Sequence, residues 1–550
     1  MLINKIHFNL NRWAVSILIL FIVIILTTLF WSINKGIDLS DEGLHFAFSN
    51  PNTINNNGLF NYDLFFKILY KITKFEFSII SLRLLKLSSL VLLFVLGLPF
   101  FRRSNFSVLD KSFLAVAIFC CYTYLTQSLS YNTISFVLVL SYIYMYTNLQ
   151  KSSAFKQYLW SLLMAILSSL CFFVKPPLSL VLLGMTFVLI TISLSEFKWK
   201  DVIFKFSLIL LGYVSVQMVF QIIFSDYAFL TVLKDSLEIS TYYGAYDKSI
   251  LIKRIVASFK WVFILNIVGY IAAYLLNKAT VTLKAKVISL VAIAVLLAYF
   301  FVSHLSSNEF DVFQYCLMIM ASIAIGFFIY FIKIQECSWH NRFIIILLFL
   351  APFLCAFGSN VYFFRTSQQY LFFWFLLLVY SKSIGNKMPK RYILTWYFIF
   401  ASLISVKIYN NVIANPDNQP KLSTNFVAYK YGNDRWIKLE KNQADYLKNL
   451  KVKLTQWSPN RKEIIGIYAM PGDIMLTGFI NYYNPLIWDT FQWEFLKDRL
   501  NNNPKFKNQP MPILISKDLN VEERNKLENY KVVDSLKYFR NGYVYIFKPV

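Results

Sequence analysis

A series of apolar runs of 14 to 23 residues, repeated along most of this 550-residue chain, dictates its fold class. Each is long enough, or nearly so, to cross about 30 Å of hydrocarbon as a helix. Within a bilayer only helices and closed barrels satisfy every backbone polar group, and runs of this length are helical. The chain is therefore expected to be a polytopic α-helical membrane protein. The runs fall near 13–33, 79–101, 112–127, 133–148, 158–174, 178–194, 204–224, 255–276, 287–302, 312–331, 343–357, 369–382 and 392–406, about 13 transmembrane helices. Lys5 and Arg12 precede the first run and no small-residue cleavage site follows it, so it reads as a retained signal anchor.

Alternate loops carry the basic residues: Arg102 and Arg103, Lys151 and Lys156, Lys198 and Lys200, Lys278 to Lys286, Lys333 and Arg342, then Lys387 to Arg391. The loops between them hold most of the acids, the pattern of a chain whose basic loops stay in the cytoplasm. A cytoplasmic N-terminus and an odd number of spans place residues 34–78, 225–254 and 408–550 outside, which for a bacterial inner membrane means the periplasmic or external side. Dispersal over loops also explains the net charge of +25. No basic stripe or aromatic platform suggests nucleic acid, and anionic lipid head groups are the better partner for this charge. The six cysteines lie in or beside apolar runs without metal-ligand spacing, so neither a disulfide framework nor a metal site is expected.

Residues 1–407 thus form the membrane domain. Its loop 34–78 includes an amphipathic helix with Phe65, Ile68, Leu69 and Ile72 on one face and Asp63, Lys67, Lys71 and Lys74 on another, a spacing suited to the interface plane. The loop 225–254 is polar and is expected to form a lid or a second interfacial helix. The tail 408–550 is of domain length. Short β-type runs at 464–469, 513–516 and 543–547 alternate with helical patterns at 442–454 and 521–530, which predicts a small α/β domain.

The chemistry concentrates in Asp38-Leu-Ser-Asp41-Glu42-Gly43-Leu-His45-Phe46, just past the first run. A general base must be anionic, reachable and partly shielded from water, conditions that a carboxylate at the lipid boundary meets. The plain alternative is a solvated loop in which Asp41 caps a following helix. Two cations stand near the hydrocarbon. Lys175 precedes Pro176-Pro177, and Arg365 lies in the polar interruption Gly358-Ser-Asn360-Val-Tyr362-Phe-Phe-Arg365-Thr-Ser-Gln368-Gln369. Either binds a phosphate, or it snorkels or forms a structural ion pair. Ser130-Tyr131-Asn132-Thr133 is a sugar-binding candidate or a tight turn.

A first span, an outward loop opening on an Asp-Glu pair, an interfacial helix and then Ser81-Leu-Arg83-Leu-Leu at the start of the second span together resemble the GT-C glycosyltransferases. The nearest branches are the lipid A aminoarabinose transferases and the protein O-mannosyltransferases. In the tail, Pro471-Gly-Asp-Ile-Met-Leu-Thr477-Gly478 is similar to a strand-turn segment of many bacterial members. The resemblance implies a monomeric, inverting enzyme that moves a sugar from a polyprenyl-phosphate donor to a lipid, glycan or protein acceptor and needs no cofactor. It implies Asp41 as the base, with Glu42 orienting it or binding the acceptor, and Asp38 as the alternative base. Lys175, Arg365 and Arg83 become candidates for the lipid phosphate, Arg83 alternatively pairing with an acid of the first loop. His45, Tyr131, Asn132, Asn360 and Gln368 are candidates for substrate binding. The spacing after the acid pair departs from that of the mannosyltransferases, which leaves His45 either a ligand or a polar loop residue. The Trp-Trp-Asp-Tyr-Gly signature of oligosaccharyltransferase catalytic subunits is absent. The competing readings are a transporter or flippase of lipid-linked sugars, which calls for charges near mid-span, and an O-antigen ligase or polymerase.

Overall fold

The computed structural model describes residues 2–55, 60–123, 127–149, 153–192, 199–224, 227–234, 248–278, 282, 312–332, 337–357, 366–384, 388–414, 420–424, 426–432, 435–482, 512–517, 519, 523, 527 and 530–550. Helices α1 (Leu2–Ser32), α2 (Asp41–Ser49), α3 (Asp63–Thr73), α4 (Ile79–Arg103), α5 (Val108–Ala117), α6 (Tyr131–Leu149), α7 (Ala154–Phe172), α8 (Pro176–Ile192), α9 (Trp199–Ile223), α10 (Lys248–Asn277), α11 (Val312–Phe331), α12 (Trp339–Ala356), α13 (Phe372–Ser383) and α14 (Lys390–Tyr409) precede a mixed C-terminal region. Among the described residues seven helical segments are long and apolar enough to cross a membrane, in α1, α4, α7, α9, α10, α12 and α14, and shorter apolar helices accompany them. The interval 287–302 lies outside the described residues.

Large apolar side chains remain uncovered on one face of several of these helices: Trp13, Leu20 and Ile24 on α1, Leu211 and Ile222 on α9, Val256 and Phe263 on α10. Exposed apolar area on this scale needs an apolar medium around it. Inside the bundle, α10 and α11 touch backbone to backbone. A Cβ at Gly269 would sit 1.9 Å from the Ile323 carbonyl oxygen, and one at Gly326 would sit 1.8 Å from that of Asn266, so glycine is needed at both contacts. α12 and α13 pair antiparallel: Ser367 Oγ donates to the Pro352 carbonyl, Trp374 Nε1 to that of Phe349, and the Tyr380 hydroxyl to Asn341 Oδ1.

The bundle thus has two ends. The starts of α4, α6 and α13 and the termini of α1, α12 and α14 gather at the end that carries the acids. Capping boxes fix two helix starts, Ser78 with Ser81 at α4 and Ser107 with Asp110 at α5. Asp110, buried at the far end, accepts from Lys382 Nζ at 2.7 Å and from the Tyr397 hydroxyl at 2.8 Å, which ties α5, α13 and α14 together.

The C-terminal region comprises β1 (Phe426–Gly432), β2 (Arg435–Glu440), α15 (Lys441–Trp457), β3 (Glu463–Ile467), α16 (Pro471–Leu476), β4 (Ile480–Asn481), β5 (Leu514–Lys517), β6 (Tyr530–Lys537) and β7 (Tyr543–Pro549). β1 and β2 form an antiparallel hairpin, and the other strands form a sheet of order β4-β3-β5-β7-β6. β3 runs parallel to β4 and β5, while β7 runs antiparallel to β5 and β6. The three predicted strands and the helix at 442–454 are present. The helical pattern at 521–530 falls mostly outside the described residues, and its last residue, Tyr530, opens β6 instead.

One further expectation needs correction. Residues 248–254, expected in a loop, open α10. In α3 the buried residues are Asp63, Leu64 and Phe66, whereas Leu69 and Ile72 are exposed. Asp63 turns inward, pairing with Lys67 at 2.7 Å and accepting from Asn55 Nδ2, while Lys71 and Lys74 stay exposed.

Candidate functional site

The three loop carboxylates, adjacent in sequence, occupy different environments. Glu42 is buried within a cage of donors. Arg83 Nε and Nη2 reach its two oxygens at 2.8 and 2.7 Å, and the Ser128 hydroxyl donates to Oε1 at 2.5 Å. The other guanidinium hydrogens of Arg83 go to the carbonyls of Ser32, Ile33, Lys35 and Gly36. Burial alone would raise the Glu42 pKa, but the Arg83 charge and these hydrogen bonds more than offset it and hold the carboxyl below its ordinary value. A phosphate finds no donor left on Arg83, so that expectation is corrected: Arg83 pairs with an acid of the first loop and ties the end of α1 to α2 and α4. Glu42, with both oxygens engaged, is not placed to take an acceptor hydroxyl.

Asp38 is buried as well, and serves the chain's own turn. Its Oδ1 accepts from the backbone and hydroxyl of Ser40 at 2.9 and 2.6 Å, and Oδ2 accepts from the Asp41 amide at 3.1 Å. It thus satisfies an N-terminal amide of α2, a task that the Ser40 side chain does not perform. Burial and the neighbouring Asp41 charge push its pKa up to about 8, against the pull of the Ser40 hydrogen bonds. Asp41, on the first turn of α2, is the one of the three that is only partly buried.

His45 stands one turn of α2 beyond Asp41, among aromatic rings. His45 Nδ1 is 2.6 Å from the Tyr62 hydroxyl, and the Asp41 charge contributes to the raised pKa of Tyr62 after burial and two closer neighbours. Burial, aided by Lys86 and opposed by Glu42, lowers His45 to about 3, so it is neutral at pH 7. The Tyr131 ring stands edge-on to His45 at 5.8 Å and stacks on Phe60 at 4.5 Å. Lys175, in the turn between α7 and α8, sends Nζ to the Cys355 carbonyl at 2.5 Å and lies 5.3 Å from the Tyr131 ring and 5.8 Å from that of Tyr370. The Tyr370 hydroxyl donates to Asn132 Oδ1 at 2.8 Å. Gln368 is buried in the turn Ser367–Tyr370 that precedes α13. His45, Tyr131, Asn132 and Lys175 are thereby joined through Tyr62 and Tyr370, two residues that no pattern in the sequence marks. Arg365 and Asn360 lie outside the described residues.

The tail is the roof of this loop. Gly36 N donates to the Lys438 carbonyl at 2.7 Å and Lys438 N to that of Asn34 at 2.8 Å, Gln443 Nε2 reaches the Ile37 carbonyl at 3.2 Å, and Gly472 N donates to the Leu39 carbonyl at 2.9 Å. A Cβ at Gly43 would stand 2.4 Å from Gly472 Cα, and one at Gly472 would stand 2.5 Å from the Leu39 oxygen. Directly after Gly472, Asp473 is fully buried, accepts from the Tyr446 hydroxyl at 2.7 Å and has Lys517 Nζ at 4.0 Å. Burial raises its pKa, with Lys517 and Tyr446 opposing.

Among the described residues no group of three or more His, Cys, Asp or Glu side chains is arranged to hold a metal ion. No protein-family model and no curated protein sequence matches the chain.

Proposed function

We propose that this chain is an inverting GT-C-type glycosyltransferase that moves a sugar from a polyprenyl-phosphate donor to a hydroxyl of a lipid, glycan or protein acceptor at the extracytoplasmic face of a bacterial inner membrane. The observation that carries this reading is the division of labour among three neighbouring carboxylates. Glu42 and Asp38 are buried and engaged by the fold, whereas Asp41, one helical turn before His45 and its aromatic neighbours, is only partly buried. In this reading all thirteen apolar intervals cross the membrane, and the basic residues at the far ends of α4, α12 and α14, Arg102, Arg103, Arg342, Lys390 and Arg391, lie on the cytoplasmic side.

The acceptor oxygen attacks the anomeric carbon as the Asp41 carboxylate takes its proton. The bond from that carbon to the phosphate oxygen breaks, and the electron pair leaves on the lipid phosphate with inversion at carbon. Charge developing on the phosphate needs a fixed cation, and Lys175 is the described residue nearest in chemistry to that task. Tyr131 and Asn132 suit the apolar face and the hydroxyls of a sugar ring. Neutral His45 acts by orienting Tyr62.

The test is a purified preparation in vesicles supplied with polyprenyl-phosphate sugars and a mixture of acceptors. The expected result is a glycosylated product with the opposite anomeric configuration to the donor, read by NMR. Retained configuration would contradict the reading, as would movement of intact lipid-linked sugar across the vesicle without transfer.

A further inference from the structure

The far ends of α4, α6, α12 and α13 line a cavity of about 450 Å³, walled in part by Arg103, Asn105, His340, Asn341 and Ser383. Arg83 and Arg103 lie on one helix 20 residues apart, which at 1.5 Å per residue separates this cavity from the loop carboxylates by about 30 Å. Its walls combine a guanidinium, two carboxamides, an imidazole and hydroxyls with the apolar surfaces of Phe100 and Ile344, and no carboxylate is among the described lining residues. The described partner of the Arg103 guanidinium is Asn148 Oδ1, a neutral acceptor that leaves the charge in place. The nearby acid, Asp110, is engaged by Lys382, Tyr397 and the start of its own helix.

Ser338, His340 and Asn341 bring the N-terminus of the 18-residue α12 to the cavity wall. The positive end of its dipole faces the same space as Arg103, and helix N-termini receive phosphate groups in this way. Beside it Trp339 is 70% exposed, with the Arg342 guanidinium 4.9 Å from its ring, the placement of a residue at the boundary between hydrocarbon and water.

The structure assigns this cavity as a binding site for the anionic head group of a membrane phospholipid, its phosphodiester against Arg103 and the start of α12 and its glycerol on Phe100 and Ile344. The assignment rests only on the bundle being in a membrane and is independent of the sugar-transfer reading. A free phosphate shares the anionic chemistry but leaves the apolar half of the cavity unused.

The test is native mass spectrometry of the full chain in neutral detergent with phosphatidylglycerol or phosphatidylcholine at equal concentration. Phosphatidylglycerol is expected to be retained preferentially, with retention about fivefold or more weaker in Arg103→Glu, since one basic residue near an anionic lipid is worth about 1 kcal/mol. Ser383→Trp, which fills the space without changing charge, is expected to lose the lipid too, at an unfolding temperature close to that of the parent. If Arg103→Glu does not fold, Ser383→Trp decides. Equal retention of the two lipids, or parent-like retention of phosphatidylglycerol in either folded variant, overturns the assignment. So does its displacement by millimolar inorganic phosphate, which would make the site one for a small free anion.

Discussion

At the scale of single residues, identical chemistry is given different work by burial and partners. Arg83 makes six hydrogen bonds, to Glu42 and to carbonyls of residues 32–36, and a lysine cannot copy that fork. Arg83→Ala leaves Glu42 as a buried, uncompensated charge and is expected to cost roughly 3 to 5 kcal/mol of stability, measured by thermal unfolding, with Arg83→Lys recovering only part. Asp38 makes the opposite prediction for pH. Its folded pKa of about 8 stands above the unfolded value of about 3.9, so the folded state holds the proton more tightly. The stability this contributes is complete below about pH 4 and falls away as pH rises to about 8. Unfolding temperature should therefore drop between pH 5 and 8 in the parent and less so in Asp38→Asn. Identical slopes in the two proteins would show that Asp38 does not titrate in that window. The acids themselves were legible in the sequence as a cluster. Which of them the fold engages was not, because the donors come from Ser40, Arg83 and Ser128, up to 86 positions away.

Among the elements, the membrane helices were the easiest to read, since a long apolar run carries its own length and period. The interval around 358–371 reads as a polar interruption, and the antiparallel contacts of α12 with α13 show two helices on either side of it. The hairpin β1–β2 and the strands β4 and β6 were missed: β4 has two residues, and β6 buries only Tyr530, its other positions being exposed or half-exposed with no apolar face. The most telling local contact is that of Gly43 with Gly472. The segment Pro471 to Gly478 stood out in sequence, but its position against Leu39 depends on two glycines more than 400 residues apart. Gly472→Ala forces a Cβ onto the Leu39 oxygen and should loosen the loop. Amide exchange at residues 36–43 is expected to quicken at least tenfold, with the sheet's own protection unchanged. Unaltered exchange there would mean that the tail does not hold the loop.

For the molecule as a whole, the bundle separates two chemistries: carboxylates, a lysine and aromatic rings under the tail at one end, and basic helix ends with a polar cavity at the other. That polarity should be visible in topology. A cysteine introduced at Arg391 and one at Val550 are expected to react with an impermeant thiol reagent from opposite sides of sealed vesicles, and labelling from the same side would break the arrangement. The account's central claim is that the fold presents Asp41 as the base and engages its neighbours. Single-turnover sugar transfer by Asp41→Asn and Asp38→Asn, both checked for folding, addresses it directly. A general base contributes about 10²- to 10⁴-fold, so Asp41→Asn should fall by at least about 10²-fold while Asp38→Asn stays within a few-fold of the parent; parent-like transfer by Asp41→Asn, or an equal loss in both, would contradict it.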